Sequence, residues 1–161
     1  MRNFGECAMA LDKGEVGFCL LPLEERGGVR LPTVLELIYR YDFKINAVTP
    51  VFGFDGNADL KYALVSRHFT VPKRKAGDDR YLELRTSASS GASLPELLMA
   101  FEYFGLAVYR INTVTLGMGA ESSTHYSLVL RDGGEGFVGA LAYLALFNHD
   151  TVPVGVYKNL E

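Results

Sequence analysis

Few residues in this chain have the types and spacing that chemistry needs. Glu24 and Glu25 form a carboxylate pair just after Pro22. Neighbouring carboxylates in an extended loop point to opposite sides, so they do not make an acid/base couple. The ordinary reading is an exposed loop with Arg26 close by. His68, His125 and His149 are scattered, and none has a second His or Cys at metal-ligand spacing. A metal site is not expected, and His125 reads as a hydrogen-bonded sheet residue. Asp132-Gly-Gly-Glu-Gly136 is glycine-rich but acidic, and its charge would repel phosphate, so it reads as a turn. Lys73-Arg-Lys75 stands beside Asp78 and Asp79, which suits a solvated connector better than a nucleic-acid contact. No Cys/His or Ser/His/Asp pattern stands out, and no cofactor is implied.

These residues must be carried by elements that periodicity reveals. The 161 residues are 48% apolar and 22% charged, which predicts a buried core rather than disorder. The net charge of −3 argues against nucleic acid as a partner. No apolar run is long enough to span a membrane, and the N-terminus shows no apolar leader, so a cytoplasmic protein is expected. Cys7 and Cys19 are then expected to be buried free thiols. The nineteen Tyr and Phe residues fall mostly on apolar faces, the common use of aromatics.

The second half reads strand, helix, strand, strand, helix, strand. Leu82, Leu84 and Thr86 alternate along residues 81–86, and Leu94, Leu97, Leu98, Phe101 and Phe104 follow at helical spacing, closed by Gly105. Ser93-Leu-Pro-Glu96 fits a capping box. Residues 108–116 and 125–130 read as strands, Phe137, Ala140, Leu141, Leu144 and Ala145 as a helix stripe, and Val152, Val154 and Val156 as the last strand. The order βαββαβ is the ferredoxin-like, split-βαβ arrangement of an α+β fold. Pro153 predicts that the last strand lies at a sheet edge.

In the first half, Phe4, Cys7, Ala8 and Leu11 share a helix face, and residues 16–21 read as a strand buried on both faces and ended by Pro22. Residues 23–28 are expected to form a loop. Val34, Leu37, Ile38 and Tyr41 mark a second helix, and Phe43, Ile45 and Ala47 open a strand. Phe54-Asp-Gly-Asn57 is a turn signal, and residues 60–69 read as a strand. The organisation expected is therefore a small α/β unit over residues 1–71, a charged linker over 72–79, and the βαββαβ domain over 80–161.

Residues 81–158 resemble an ACT domain, the small-molecule-sensing module of amino-acid metabolism, and most of all the one that ends prephenate dehydratase. Thr151-Val-Pro-Val-Gly-Val-Tyr157 is similar to that family's final strand with its Gly-x-Tyr-like close. Phe4-Gly-Glu-Cys-Ala-Met-Ala-Leu-Asp-Lys-Gly14, with residues 16–24 after it, resembles the dehydratase helix, strand and Pro-x-Glu hinge. Leu60-Lys-Tyr-Ala-Leu-Val-Ser-Arg67 resembles the last strand of the catalytic domain. The resemblance maps the family's catalytic Thr-Arg-Phe onto Leu60, Lys61 and Tyr62, and its hinge Glu-Asn-Ser onto Glu24, Glu25 and Arg26. Leu60 has no hydroxyl to donate. The family's phenylalanine-binding segments map onto Ala92, Ser93 and Leu94, with the glycine displaced to Gly91, and onto Asn112, Thr113, Val114 and Thr115. A two-lobed catalytic domain does not fit within residues 1–71, so a truncated catalytic part is expected. The resemblance implies a small-molecule-binding, regulatory protein without catalysis, its ligand an aromatic amino acid; its alternatives are a prephenate dehydratase or one subunit of it, and a purely structural dimerisation module. The β-branched strand 112–116 has nothing to blunt its edge, so a homodimer paired through it is expected.

Overall fold

The computed structural model describes residues 3–25, 27–52, 58–73, 75, 77–89, 93–117, 119–132, 134 and 136–159, with Ala58 and Asp59 by backbone alone. It is a mixed α+β protein of two compact units, residues 1–73 with 154–161, and residues 74–153. The turn signal at residues 54–57 lies outside the described residues.

In the first unit, helix α1 (Phe4–Asp12) begins at Asn3, whose Oδ1 accepts from the Gly5 amide at 3.1 Å, a side-chain cap for a free N–H. Gly14, at φ +76°, lets the chain reverse where a side chain would be strained. Strand β1 (Cys19–Glu25), helix α2 (Pro32–Arg40), strand β2 (Lys44–Phe52) and strand β3 (Ala58–Ser66) follow. Strands β1 and β2 both run antiparallel to β3, and β2 pairs in parallel with the end of β7 (Thr151–Tyr157) at Ile45 and Gly155, giving the order β1-β3-β2-β7. Ala8 and Leu11 of α1, Leu35 and Ile38 of α2, and Leu21, Ala63 and Val65 of the strands are all buried.

Two expectations fail here. The strand starts at Cys19 and runs through Pro22, and its entry is not buried on both faces: Phe18 is 59% exposed and Leu20 49%. A proline is tolerated there because β1 is an outer strand. The cysteines are not free thiols. Cys7 and Cys19 form a disulfide, their Cα atoms 6.2 Å apart, because the turn after α1 lays the helix back beside the start of β1. Cross-linking residues 12 apart restricts the unfolded chain, an effect of about 3 kcal/mol for a loop of this size. Cys7→Ser should therefore lower the urea midpoint by a matching amount, and a reducing agent should do the same to the wild type while leaving the variant unmoved.

In the second unit, strand β4 (Arg80–Ser87), helix α3 (Leu94–Tyr103), strand β5 (Leu106–Leu116), strand β6 (Ser123–Asp132) and helix α4 (Gly136–Phe147) lead into β7. The strand order is β7-β4-β6-β5, with β6 antiparallel to both β4 and β5. The expected capping box is present: Glu96 N donates to Ser93 Oγ at 3.4 Å and Ser93 N to Glu96 Oε2 at 3.2 Å. Gly105, at φ +75°, ends α3. Leu82, Leu84, Leu128 and Leu130 of the sheet and Phe101, Phe137, Ala140 and Leu144 of the helices form the core. At the head of α4, Asp132 accepts from two glycine amides and from an arginine. Its Oδ1 accepts from the Gly134 and Gly136 amides at 2.8 and 3.4 Å, and its Oδ2 accepts from Arg80 Nη2 at 3.0 Å.

The expected edge position of β7 is also corrected. Early in the strand Thr151 Oγ1 donates to Thr86 Oγ1 of β4 at 3.1 Å, and later Gly155 pairs with Ile45 of β2. Pro153 falls between these two contacts, so the strand that carries it has neighbours and is not an open edge. Strand β5 does stand last in the second unit's order.

Candidate functional site

The sheet of the first unit brings together the positions that two distant stretches of sequence supplied. In the ladder between β1 and β3, Glu24 faces Lys61, Glu25 faces Leu60, and Pro22 faces Tyr62. The register slips between Pro22 and Glu24. This β-bulge decides where Glu24 goes. Leu21 pairs with Ala63 and Glu24 with Lys61, two residues away on β3. Side chains two apart on a strand share a face. The bulge therefore sets Glu24 on the same face as buried Leu21, whereas unbroken alternation would have set it on the opposite one.

Glu24 is thus not in an exposed loop. It is 4% exposed and belongs to β1. Its Oε1 lies 3.3 Å from Lys61 Nζ and its Oε2 3.8 Å from Arg30 Nε. Arg30 arrives by a turn with Gly27 and Gly28 at φ +89° and +86°, secured by Glu25 N donating to Val29 O at 2.9 Å and Leu31 N to Leu23 O at 3.0 Å. Buried Arg30 also donates from Nη2 to the Tyr157 hydroxyl of β7 at 3.1 Å. A carboxylate, two cations and a phenol thus meet on three strands and a turn. Glu25 is exposed at the strand end, and Leu60 and Tyr62 are half-buried.

The arrangement holds a buried negative charge between two positive ones. It offers a fixed set of donors, and no hydroxyl at residue 60. Sequence reasoning missed Arg30 and Tyr157. The Gly27-Gly28 pair was the available signal for a tight turn returning a buried residue to the strand.

The positions matched to the second ligand-binding segment lie on β5, where Asn112 pairs with Ser127, Thr113 with Tyr126 and Val114 with His125. Val114 is buried, and the Asn112 Nδ2 atom is buried without a hydrogen-bond partner among the described residues. Ser93 spends its hydroxyl on the cap of α3, and Leu94 is half-buried. Gly91 and Ala92 lie outside the described residues. No group of three or more potential metal ligands occurs among the described residues, and no helix there is long and apolar enough to cross a membrane.

His125 sits on β6 with Nε2 2.9 Å from Ser123 Oγ. Burial, then the charge of Arg85, lower its pKa from the usual 6.5. The unfolded chain then holds the proton more tightly than the folded one, so acidification through 6.5 and below removes stability. The thermal midpoint of the wild type should fall between pH 7.5 and 5.5 by more than that of His125→Gln. Equal slopes would show that His125 contributes nothing.

No family model matches the sequence, and no curated protein matches it. Solved structures do. The prephenate dehydratase of Streptococcus mutans superposes with a TM-score of 0.75 at 14% identity, over 100% of this chain and 85% of that one. A prephenate dehydratase from Arthrobacter aurescens in complex with L-Phe gives 0.69 at 17% identity, over 98% and 80%. GqqA, described as a novel type of quorum quenching acylase, gives 0.66 at 21% identity, over 98% and 80%. At these identities the shared property is the fold.

Proposed function

We propose that this chain is a small-molecule-binding, regulatory protein on the prephenate dehydratase fold, without dehydratase activity of its own, and that its ligand is an aromatic amino acid. The state of Glu24 carries this reading. Loss of water and carbon dioxide from prephenate needs an acid placed to protonate the departing hydroxide. Glu24 is instead the counter-ion of Lys61 and Arg30, at 3.3 and 3.8 Å, and Leu60 brings no proton to the neighbouring pair of the ladder. In this reading residues 1–71 are a reduced catalytic part, 72–79 a linker and 80–161 an ACT-like sensing domain. The order β4-α3-β5-β6-α4-β7 and the strand sequence β7-β4-β6-β5 support the ACT-like assignment. The L-Phe complex of the Arthrobacter aurescens enzyme supports the ligand class, and the outermost place of β5 supports a dimer through residues 112–116. Cytoplasmic residence belongs to the same reading.

One observation favours a second reading, a prephenate dehydratase or one subunit of it: Glu24 and Glu25 stand directly across from Lys61 and Leu60. The fold alone decides nothing between them, since one acylase also shares it. A thermal-shift series with phenylalanine, tyrosine and prephenate, beside an assay of phenylpyruvate formation, separates the two. A rise in melting temperature with an amino acid and no turnover supports the proposal. Turnover that disappears in Glu24→Ala overturns it.

A further inference from the structure

The last turns of α3 and the start of β5 border an open cavity of about 420 Å³. Small-molecule sites occupy roughly 300–1,000 Å³. Leu98, Met99 and Glu102 wall the cavity from the helix, and Gly105, Leu106 and Val108 from the strand side. Glu102 stands four residues from Leu98 and three from Met99, so the three are neighbours on the surface of α3. Leu106 and Val108 pair with Asp132 and Leu130, which sets both on the sheet face that carries Leu82 and Leu130. Strand β5 is outermost in the second unit's order, so no further strand closes that side.

The charge around the cavity has one sign. Among the described residues Glu102 is the ionisable group that lines it, and its carboxylate is exposed. Among the described residues no Lys or Arg pairs with that carboxylate. The C-terminal end of α3 adds the partial negative charge of its last carbonyls, and no basic residue stands in the last turn to offset it. The rest of the lining is apolar, and two parts of it are bare: Met99 is 63% exposed and Val108 47%. A methionine wall is flexible and polarizable, and it adapts to an aromatic ring.

We infer that this cavity binds an organic cation, a primary ammonium group carried on an aromatic or branched apolar body. The ammonium lies at Glu102, and the apolar body covers Leu98, Met99 and Val108. A free amino acid and the amine left when its carboxyl group is removed share this chemistry. An anion without an ammonium group is repelled by the same charges. None of the positions matched to the family's ligand segments lines the cavity, so it is a separate site.

Thermal shift and calorimetric titration of the full chain test the assignment with three probes: phenethylamine, L-phenylalanine, and hydrocinnamate, which has the ring and a carboxylate but no amine. Phenethylamine should raise the melting temperature and hydrocinnamate should not. Glu102→Gln should weaken phenethylamine binding about fivefold, the scale of one exposed ion pair. Met99→Lys sets a cation on the wall and should abolish the shift. Both side chains are exposed, so neither change disturbs the core. A phenylalanine shift lost in the same variants identifies the free amino acid as a ligand of this cavity. Phenethylamine binding with no response to phenylalanine upholds the cavity and removes the ligand class from the proposed function. An equal shift with hydrocinnamate overturns the inference, as does a phenethylamine shift retained in Met99→Lys. A phenylalanine shift kept in both variants, with phenethylamine silent, overturns it too and leaves the proposed function standing. So does silence from all three probes, which overturns the cavity and the ligand class together.

Discussion

Glu24→Leu should destabilise the first unit by about 3–5 kcal/mol, the usual cost of leaving a buried charge without its partner. The argument rests on burial more than on attraction. Glu24 and Arg30 have side chains 6% and 5% exposed, whereas Lys61 retains 35% and can turn to water. Nearly all the loss should therefore arise at Arg30. Two further variants check this. Glu24→Leu with Arg30→Met should recover most of the lost stability, because a fully apolar replacement of an ion pair is often tolerated. Glu24→Leu with Lys61→Met should recover little. Urea unfolding gives the numbers. A loss below about 1 kcal/mol in the single variant would mean that solvent reaches the group, as for pairs at a surface.

Gly155→Ala should be more damaging still, with loss of at least about 3 kcal/mol or failure to accumulate folded protein. The added methyl would fall directly on the carbonyl of Ile45, with the Ile45 nitrogen at 3.0 Å. Both atoms are backbone of the paired strand β2, and neither can rotate aside. Overpacking typically costs 1–3 kcal/mol where side chains can shift, and more where a strand must move. Gly139→Ala provides the comparison. Its methyl would meet a side-chain ring, Phe104, and not backbone, so a smaller loss is expected. Equal midpoints for Gly155→Ala and the wild type would contradict the close approach of β7 to β2.

The sequence made local order legible where one period governed one element. Leu97 and Phe101 repeat at the helical interval and are buried in α3, and Ser93 with Glu96 announced the cap that the structure contains. What it concealed depends on breaks in period or on distance. The slip between Pro22 and Glu24 turns a glutamate inward, and alternation read without that slip gives a solvent-facing loop. Arg30 and Tyr157 meet across 127 positions, which no local pattern encodes. The thiols were misjudged because composition suggests a compartment but says nothing about which cysteines a turn will bring into reach. Pro153 was misjudged because a strand with a proline can still have neighbours on both sides, which a single residue type does not reveal.

The assignment of residues 154–161 to the first unit has a consequence for synthesis on the ribosome. The second unit is one uninterrupted segment, and it can condense as soon as it emerges. The first unit, begun earliest, must wait for the final strand to thread in beside Ile45. Order of translation and order of maturation are thus reversed for these two bodies, and nascent chains stalled before residue 154 should present a protease-resistant 74–153 fragment attached to a labile N-terminal half.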